Sequence, residues 1–521
     1  MSDNTSSNKR IAKNSIFLSI RMVIVLLISL YTTRVVLQVL GVVDYGVYNV
    51  VCGFVFLFSF LNTSMSNGIQ RFFNFEYGKN GEDGANKVYC TSMYIQALLS
   101  IIVVVLVEIF GIWYLHNKMV LPADRLVAAE WIFQMAVIMF VAGIMQTPFT
   151  AAVIAHERLD FYAIVSILDV ILKLAVVVVL TTIQADKLIF YGVLTTLIGV
   201  LNIVVYYIYC KFNFKEIRFK RGIDKTLFRG MLGFSGWNLF GSFSNMMRDQ
   251  GINLILNFFF GPVVNAARGV GVQVNAGVTG LVQSILTPVR PQVVQSYARG
   301  EMNRVMNLTY TISKFSLYFL LLLILPLCIE IDFILNLWLG SNIPDHTQEF
   351  IIIILLTSAI LIPMSAQATL VHASGKMKNY QVIGSTVKIL SVPIAYFLMR
   401  IGYAPEWALI MVLLFDVIGL FVGMIIIKGI MPFNIVEYIQ KVFVPVICVA
   451  LVALACALGF HILIENEILR FILVVIASTF TVALTVSLFG MTRDEKRIIG
   501  ELLKNRFSRR KNNSPSANSK G

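Results

Sequence analysis

The stretch "SIRMVIVLLISLYTTRVVLQVLG" from Ser19 has the length and apolarity of a membrane-spanning helix, yet it carries Arg21 and Arg34 and no acid. Two further arginines, Arg248 and Arg268, fall within apolar segments later in the chain, and Asp249 is the one acid adjacent to either. On insertion scales a cation at the centre of a span costs about 2.5–3.5 kcal/mol, so each of these must be offset by something. Arginine keeps its charge at any physiological pH and offers a planar fork that grips phosphate oxygens in pairs, which lysine cannot do. Four such groups beside one acid point to a cavity of positive potential. The cargo that fits best is an anion, a phosphate or pyrophosphate ester.

Position on the helix qualifies each candidate. Arg21 and Arg34 are 13 residues apart, hence about 140° apart around the helix, and each lies about 10 Å from the nearer membrane face. They cannot both point into one narrow groove; each is read as facing a cavity or as an interfacial anchor. Asp249 is expected about 100° from Arg248 and need not neutralise it. Lys173 lies one turn after Asp169 and reads as a self-neutralised pair. Lys388 has no acid on its own helix and either lines the cavity or pairs with Asp416 on the next one. Lys314, near the end of its segment, is expected to snorkel. Asn245, Gln273 and Asn275 are candidates for contact with sugar, or for hydrogen-bonding glue between helices. Asp249 and Asp416 are candidate sites for a coupling ion.

These residues sit in a chain of 521 residues that is 58% hydrophobic and only 13% charged, with a mean hydropathy of +0.80. That composition excludes an ordinary soluble protein. Apolar runs of about 20 residues demand membrane-spanning α-helices, because open sheet edges cannot face lipid. Fourteen segments are long enough, counting a Gly-rich, weakly apolar eighth at 263–289. The expected organisation is a cytoplasmic N-terminus (1–13), six helices (14–211), a basic cytoplasmic linker (212–229), six more helices (230–429), a final pair (442–490) and a basic amphipathic cytoplasmic tail (491–521). With this topology 30 of the 42 Lys and Arg lie inside, 5 outside and 7 within spans, the bias of the positive-inside rule. The net charge of +14 therefore follows from topology and does not imply nucleic acid. The first apolar run is longer than a signal-peptide core and lacks a cleavage site, so the first helix is expected to stay.

A 220-residue shift lays Gly41 on Gly261, Val50 on Val270, Leu61 on Leu281, Ser64 on Ser284, Tyr77 on Tyr297 and Lys79 on Arg299. Two equivalent six-helix lobes in the same orientation follow, related by a pseudo-two-fold axis along the membrane normal and enclosing a central cavity. Six cysteines without CxxC spacing and five scattered histidines suggest neither disulfides nor a metal site. No phosphate-binding loop occurs, and no cofactor is expected.

The stretches "LGVVDYGVYNVVCGFVFLFSFLNTSMSNGIQRFFNFEYG" and "GINLILNFFFGPVVNAARGVGVQVNAGV" resemble the signature regions of the bacterial Wzx-type polysaccharide (O-antigen) flippases of the multidrug/oligosaccharidyl-lipid/polysaccharide (MOP) exporter superfamily. The likeness runs from about 14 to 490. It implies a MATE-like, non-enzymatic transporter of the bacterial inner membrane. Its implied cargo is undecaprenyl-diphosphate-linked oligosaccharide, carried to the outer leaflet for polysaccharide or lipopolysaccharide biosynthesis by alternating access. The drive would be Na+, H+ or membrane potential, with membrane lipids around it and polymerases or glycosyltransferases as neighbours. The two extra C-terminal helices are similar to the additional pair of the lipid II flippases. The rivals are a cation-coupled multidrug exporter of the same superfamily, which should place acids in its cavity, and a polysaccharide-assembling membrane enzyme, which should carry a large outer loop.

Overall fold

The computed structural model describes the backbone of residues 2–491, 495 and 496, apart from 157, 183, 221, 287–292, 294, 295, 298 and 341. Side chains are described from residue 21 onward, with 67, 74, 78, 159, 234, 235, 237, 238, 284 and 285 also excepted. Among these residues the chain is helical without strands. The expected amphipathic tail lies almost wholly outside them.

The helices are α1 (Ser2–Phe56), α2 (Ser59–Asn117), α3 (Leu126–Ala155), α4 (Leu159–Leu180), α5 (Lys187–Asn213), α6 (Lys225–Phe260), α7 (Pro262–Leu286) and α8 (Met302–Ile329). They continue with α9 (Ile331–Leu339), α10 (Thr347–Ser374), α11 (Met377–Ile389), α12 (Ser391–Ile401), α13 (Glu406–Lys428), α14 (Ile435–Tyr438), α15 (Val444–Leu463) and α16 (Glu467–Thr485). Eleven helical segments are long and apolar enough to cross a membrane, which makes this a multi-pass membrane protein. Large apolar side chains such as Leu197, Ile425, Leu463 and Phe489 stand exposed on the outside of the bundle, as contact with acyl chains rather than water requires. The segments expected second, seventh and, as far as Leu286, eighth are helical but too polar or too interrupted to be singled out by hydropathy.

Several expected spans are broken, each for a visible reason. The second runs over the end of α1 and the start of α2. Between them Leu57 donates to the Gly53 and Phe54 carbonyls in a tightened turn, opposite a close approach of α6. There a Cβ on Gly53 would lie 2.6 Å from both Asn253 Nδ2 and Gln250 Oε1. The ninth divides into α8 and α9 at the buried Glu330, whose carboxylate takes hydrogen bonds from His461 (2.7 Å) and Arg470 (3.1 Å) and so ties α15 and α16 to the bundle. The eleventh divides into α11 and α12 because Pro393 has no N–H for the carbonyl of Ile389 and clashes with it. Lys388 is left on the last turn of α11.

The repeat has a backbone counterpart. Gly41, the break within α1, has φ 82 and ψ 168, and Gly261, between α6 and α7, has φ 79 and ψ −174. This is a region almost closed to residues with a Cβ, and it occurs at two positions that the 220-residue shift superimposes.

The two halves meet through α1 against α7 and α2 against α6. Gly277 and Gly280 of α7 leave room for Leu26 and Met22 of α1. At the end of the bundle remote from the 212–229 linker, the seam is polar. The Asn257 amide donates to the Val120 carbonyl (3.2 Å) and accepts from the Val120 N–H (3.0 Å). Asn265 donates to the backbone and side-chain oxygens of Asn253 (2.7 and 2.8 Å), which itself donates to the Asn49 carbonyl at 3.4 Å. At the linker end, Asn86 donates to the carbonyls of Glu216 and Arg218, and burial of the neighbouring Glu216 pushes its carboxyl above the usual range. Lys314 is nearly buried against Glu495 at 2.7 Å rather than snorkelling, since the chain beyond α16 brings an acid to it.

Candidate functional site

Helix α6 starts where Asp224 caps the Thr226 and Leu227 amides and carries Arg248, Asp249 and Gln250 to the middle of the bundle. With Arg268, Val272 and Asn275 of α7, Ile354, Thr357, Ser358 and Leu361 of α10, and Leu409 and Val412 of α13, they enclose a cavity of about 260 Å³.

The arginines there have unlike roles. Arg248 is 7% exposed. Its Nε donates to Asp249 (2.9 Å) and its Nη1 to both oxygens of Asp416 on α13 (2.9 and 2.8 Å). Asp249, not needed as a counterion on helix geometry, nevertheless takes the Arg248 Nε, and a second carboxylate arrives from across the bundle. Asp416, expected as a partner for Lys388 or a coupling-ion site, is fully buried, with both oxygens taken by Arg248. Asp249 is half-exposed.

Arg268 Nη2 donates to the Asp249 carbonyl at 2.7 Å, while its buried Nε has no partner. No carboxylate among the described residues forms an ion pair with it. Asn275 accepts from Ser358 at 2.6 Å, and Gln250 Oε1 is buried without a partner. Lys388 lies close enough to interact electrostatically with Arg248, Asp416 and Asp249. Three cations thus face two carboxylates, leaving one positive charge and unused guanidinium donors beside a space lined with hydroxyl and amide groups. In a medium of low dielectric that arrangement attracts an anion.

The other candidates lie elsewhere. Arg21 donates to Ser166 of α4 at 3.2 Å, and its guanidinium sits 4.9 Å from the centre of the Tyr162 ring. On the same face of α4, Asp169 holds Lys173 (2.7 Å) and Asn202 of α5 (2.6 Å). Arg34 donates to the Leu337 carbonyl at 3.1 Å, one of the free carbonyls at the end of α9, where a cation complements the helix dipole. Neither Arg21 nor Arg34 lines the Arg248–Arg268 cavity: a hydroxyl and an aromatic face stand beside Arg21, whose buried Nε has no partner, and a helix end stands beside Arg34. Asn245 is exposed on α6 and Gln273 half-buried on α7, and neither lines the cavity. Gln250, Thr357 and Ser358 do, and were not singled out. The polar pair within "LLTSAIL" is their sequence signal, shared with many buried helices. Among the described residues no group of three or more His, Cys, Asp or Glu could hold a metal.

No family model matches the chain, and no curated protein matches it. Solved structures do. The lipid II flippase MurJ in an inward closed conformation is 14% identical, with a TM-score of 0.72 over 91% of this chain and 98% of that one. A multidrug resistance MATE transporter of the MOP superfamily, inward-facing, is 12% identical with a TM-score of 0.61, over 78% and 96%. A MOP-superfamily transporter from Pyrococcus furiosus, described as having a binding pocket of reversed polarity that suggests a different function, is 12% identical with a TM-score of 0.56, over 79% and 94%. The fold is that of the MOP transporters.

Proposed function

We propose that this protein is a flippase that moves a polyprenyl-diphosphate-linked oligosaccharide across the bacterial inner membrane by alternating access. The observation that carries the reading is Arg268, which lines a cavity of net positive charge, forms no ion pair with a carboxylate among the described residues and keeps its Nε without a partner. A diphosphate satisfies such donors in pairs; Asn275, Ser358, Thr357 and Gln250 offer the mixed donors and acceptors that sugar hydroxyls need. The tail stays in lipid. The likeness to the lipid II flippase also covers 91% of this chain, against 78% for the inward-facing multidrug transporter.

In this reading the linker end is cytoplasmic, fourteen segments cross the membrane and both termini lie inside, as the charge bias argues. The two lobes rock about the cavity, driven by an Na+ or H+ gradient or by the potential, the latter worth about 2.3 kcal/mol per charge per 100 mV. With Asp416 occupied by Arg248, the half-exposed Asp249 is the better candidate for a coupling ion. Enzymes that assemble or polymerise the glycan are its functional neighbours.

The multidrug alternative is tested in the same experiment. Purified protein in proteoliposomes should expose an undecaprenyl-diphosphate disaccharide to an external lectin, and should ignore an uncharged glycolipid with the same tail and a cationic dye. Dye movement without glycan movement would replace the flippase reading with that of a drug exporter.

A further inference from the structure

We propose that Lys388 is the stand-in partner of Asp416, taking over that carboxylate when Arg248 releases it to engage the cargo's phosphates. This rests on the anionic-cargo reading above. In the resting arrangement Arg248 commits its Nε to Asp249 and its Nη1 to both oxygens of Asp416, so it reaches an anion in the cavity only by giving up a carboxylate. Asp249 is half-exposed and can hydrate, but Asp416 is sealed. Releasing Asp416 unaided would strand a buried anion while a second anion arrived beside it, the costliest state available.

Lys388 is placed to prevent that. It stands on the last turn of α11, which packs against both α6 and α13. Its Cγ lies 3.9 Å from where a Cβ on Gly419 would be, and Gly419 is three residues beyond Asp416, on the same face of α13. Its charge interacts with Arg248, Asp416 and Asp249. Among the described residues its ammonium has no hydrogen-bond partner, which is unusual for a lysine so deep in a bundle. A lysine swings a compact charge on a flexible stem, whereas the arginine fork supplies the planar grip on phosphate. The exchange therefore leaves each cation on the anion it suits and keeps the number of buried pairs constant. Lys388 acts here as a positioning residue: it never needs to touch cargo.

The test is a transport cycle in proteoliposomes carrying the undecaprenyl-diphosphate disaccharide. Lys388→Met should slow flipping by about ten-fold or more, and Lys388→Arg should retain it. The double variant Lys388→Met with Asp416→Asn should recover to within about three-fold of Asp416→Asn alone, because no carboxylate is then left to strand. If Lys388→Met flips at the unaltered rate, or the double variant stays as slow as Lys388→Met, the exchange is overturned.

Should Asp416→Asn fail to fold, Lys388→Cys supplies the same discrimination. Aminoethylation of the thiol, which restores a cation, should restore flipping; neutral methylthiolation should not. Equal rescue by both reagents, or by neither, again overturns the exchange. Binding of inorganic pyrophosphate to Arg268→Gln separates the levels. Unchanged binding there removes the cargo reading itself, whereas lost binding without rescue of Lys388 variants removes the exchange alone.

Discussion

Arg268→Gln is expected to slow flipping of a polyprenyl-diphosphate glycan by about ten- to a hundred-fold while the protein stays folded. A hydrogen bond to a charged group is worth about 1.5–3 kcal/mol, and about 1.4 kcal/mol is a factor of ten. Arg268 carries the unpaired part of the cavity's charge, so its loss removes attraction as well as contact. Stability should change little, because no carboxylate depends on it and the half-buried glutamine keeps amide donors near the Asp249 carbonyl. The readouts are initial rates in vesicles and the thermal midpoint in detergent. A folded Arg268→Gln protein that flips at the unaltered rate would leave the cavity without a cargo.

The opposite pattern is expected for Asp416→Leu. Asp416 is fully buried and holds Arg248 with both oxygens; its removal leaves three cations facing one half-exposed carboxylate. Breaking such a pair from one side costs about 3–5 kcal/mol, a large share of a membrane protein's margin. The thermal midpoint should fall sharply. Adding Lys388→Met to Asp416→Leu should restore part of it, since one uncompensated cation goes with the acid. A midpoint unmoved by Asp416→Leu would mean the cluster is hydrated and its charges are not coupled.

Much of the architecture was legible because composition and periodicity are local. A helix must satisfy its own backbone in lipid, so apolar runs of spanning length announce themselves. Gly41 and Gly261, which the 220-residue shift pairs, share a backbone conformation that glycine alone adopts readily. The partners of the buried arginines were not legible. Asp416 is 168 residues from Arg248, and Leu337 is 303 from Arg34; inspecting acids on the same helix could find neither. A guanidinium also finds company in a carbonyl, a hydroxyl or an aromatic face, as Arg21 and Arg34 do, and none of these carries a charge that counting acids along the chain could reveal. Pro393 did signal the break beside Lys388, but which side chains a break delivers depends on the helices packed around it.

The Asn257 amide, bonded on both its donor and acceptor sides to Val120, has a consequence for the idle molecule. If the lobes rock as proposed, parting that end of the bundle forfeits these two neutral bonds, worth about 0.5–1.5 kcal/mol each, together with the Asn253 bond to the Asn49 carbonyl. Such a clasp is light enough for the binding of a charged cargo, at about 1.5–3 kcal/mol per bond to a charged group, to offset.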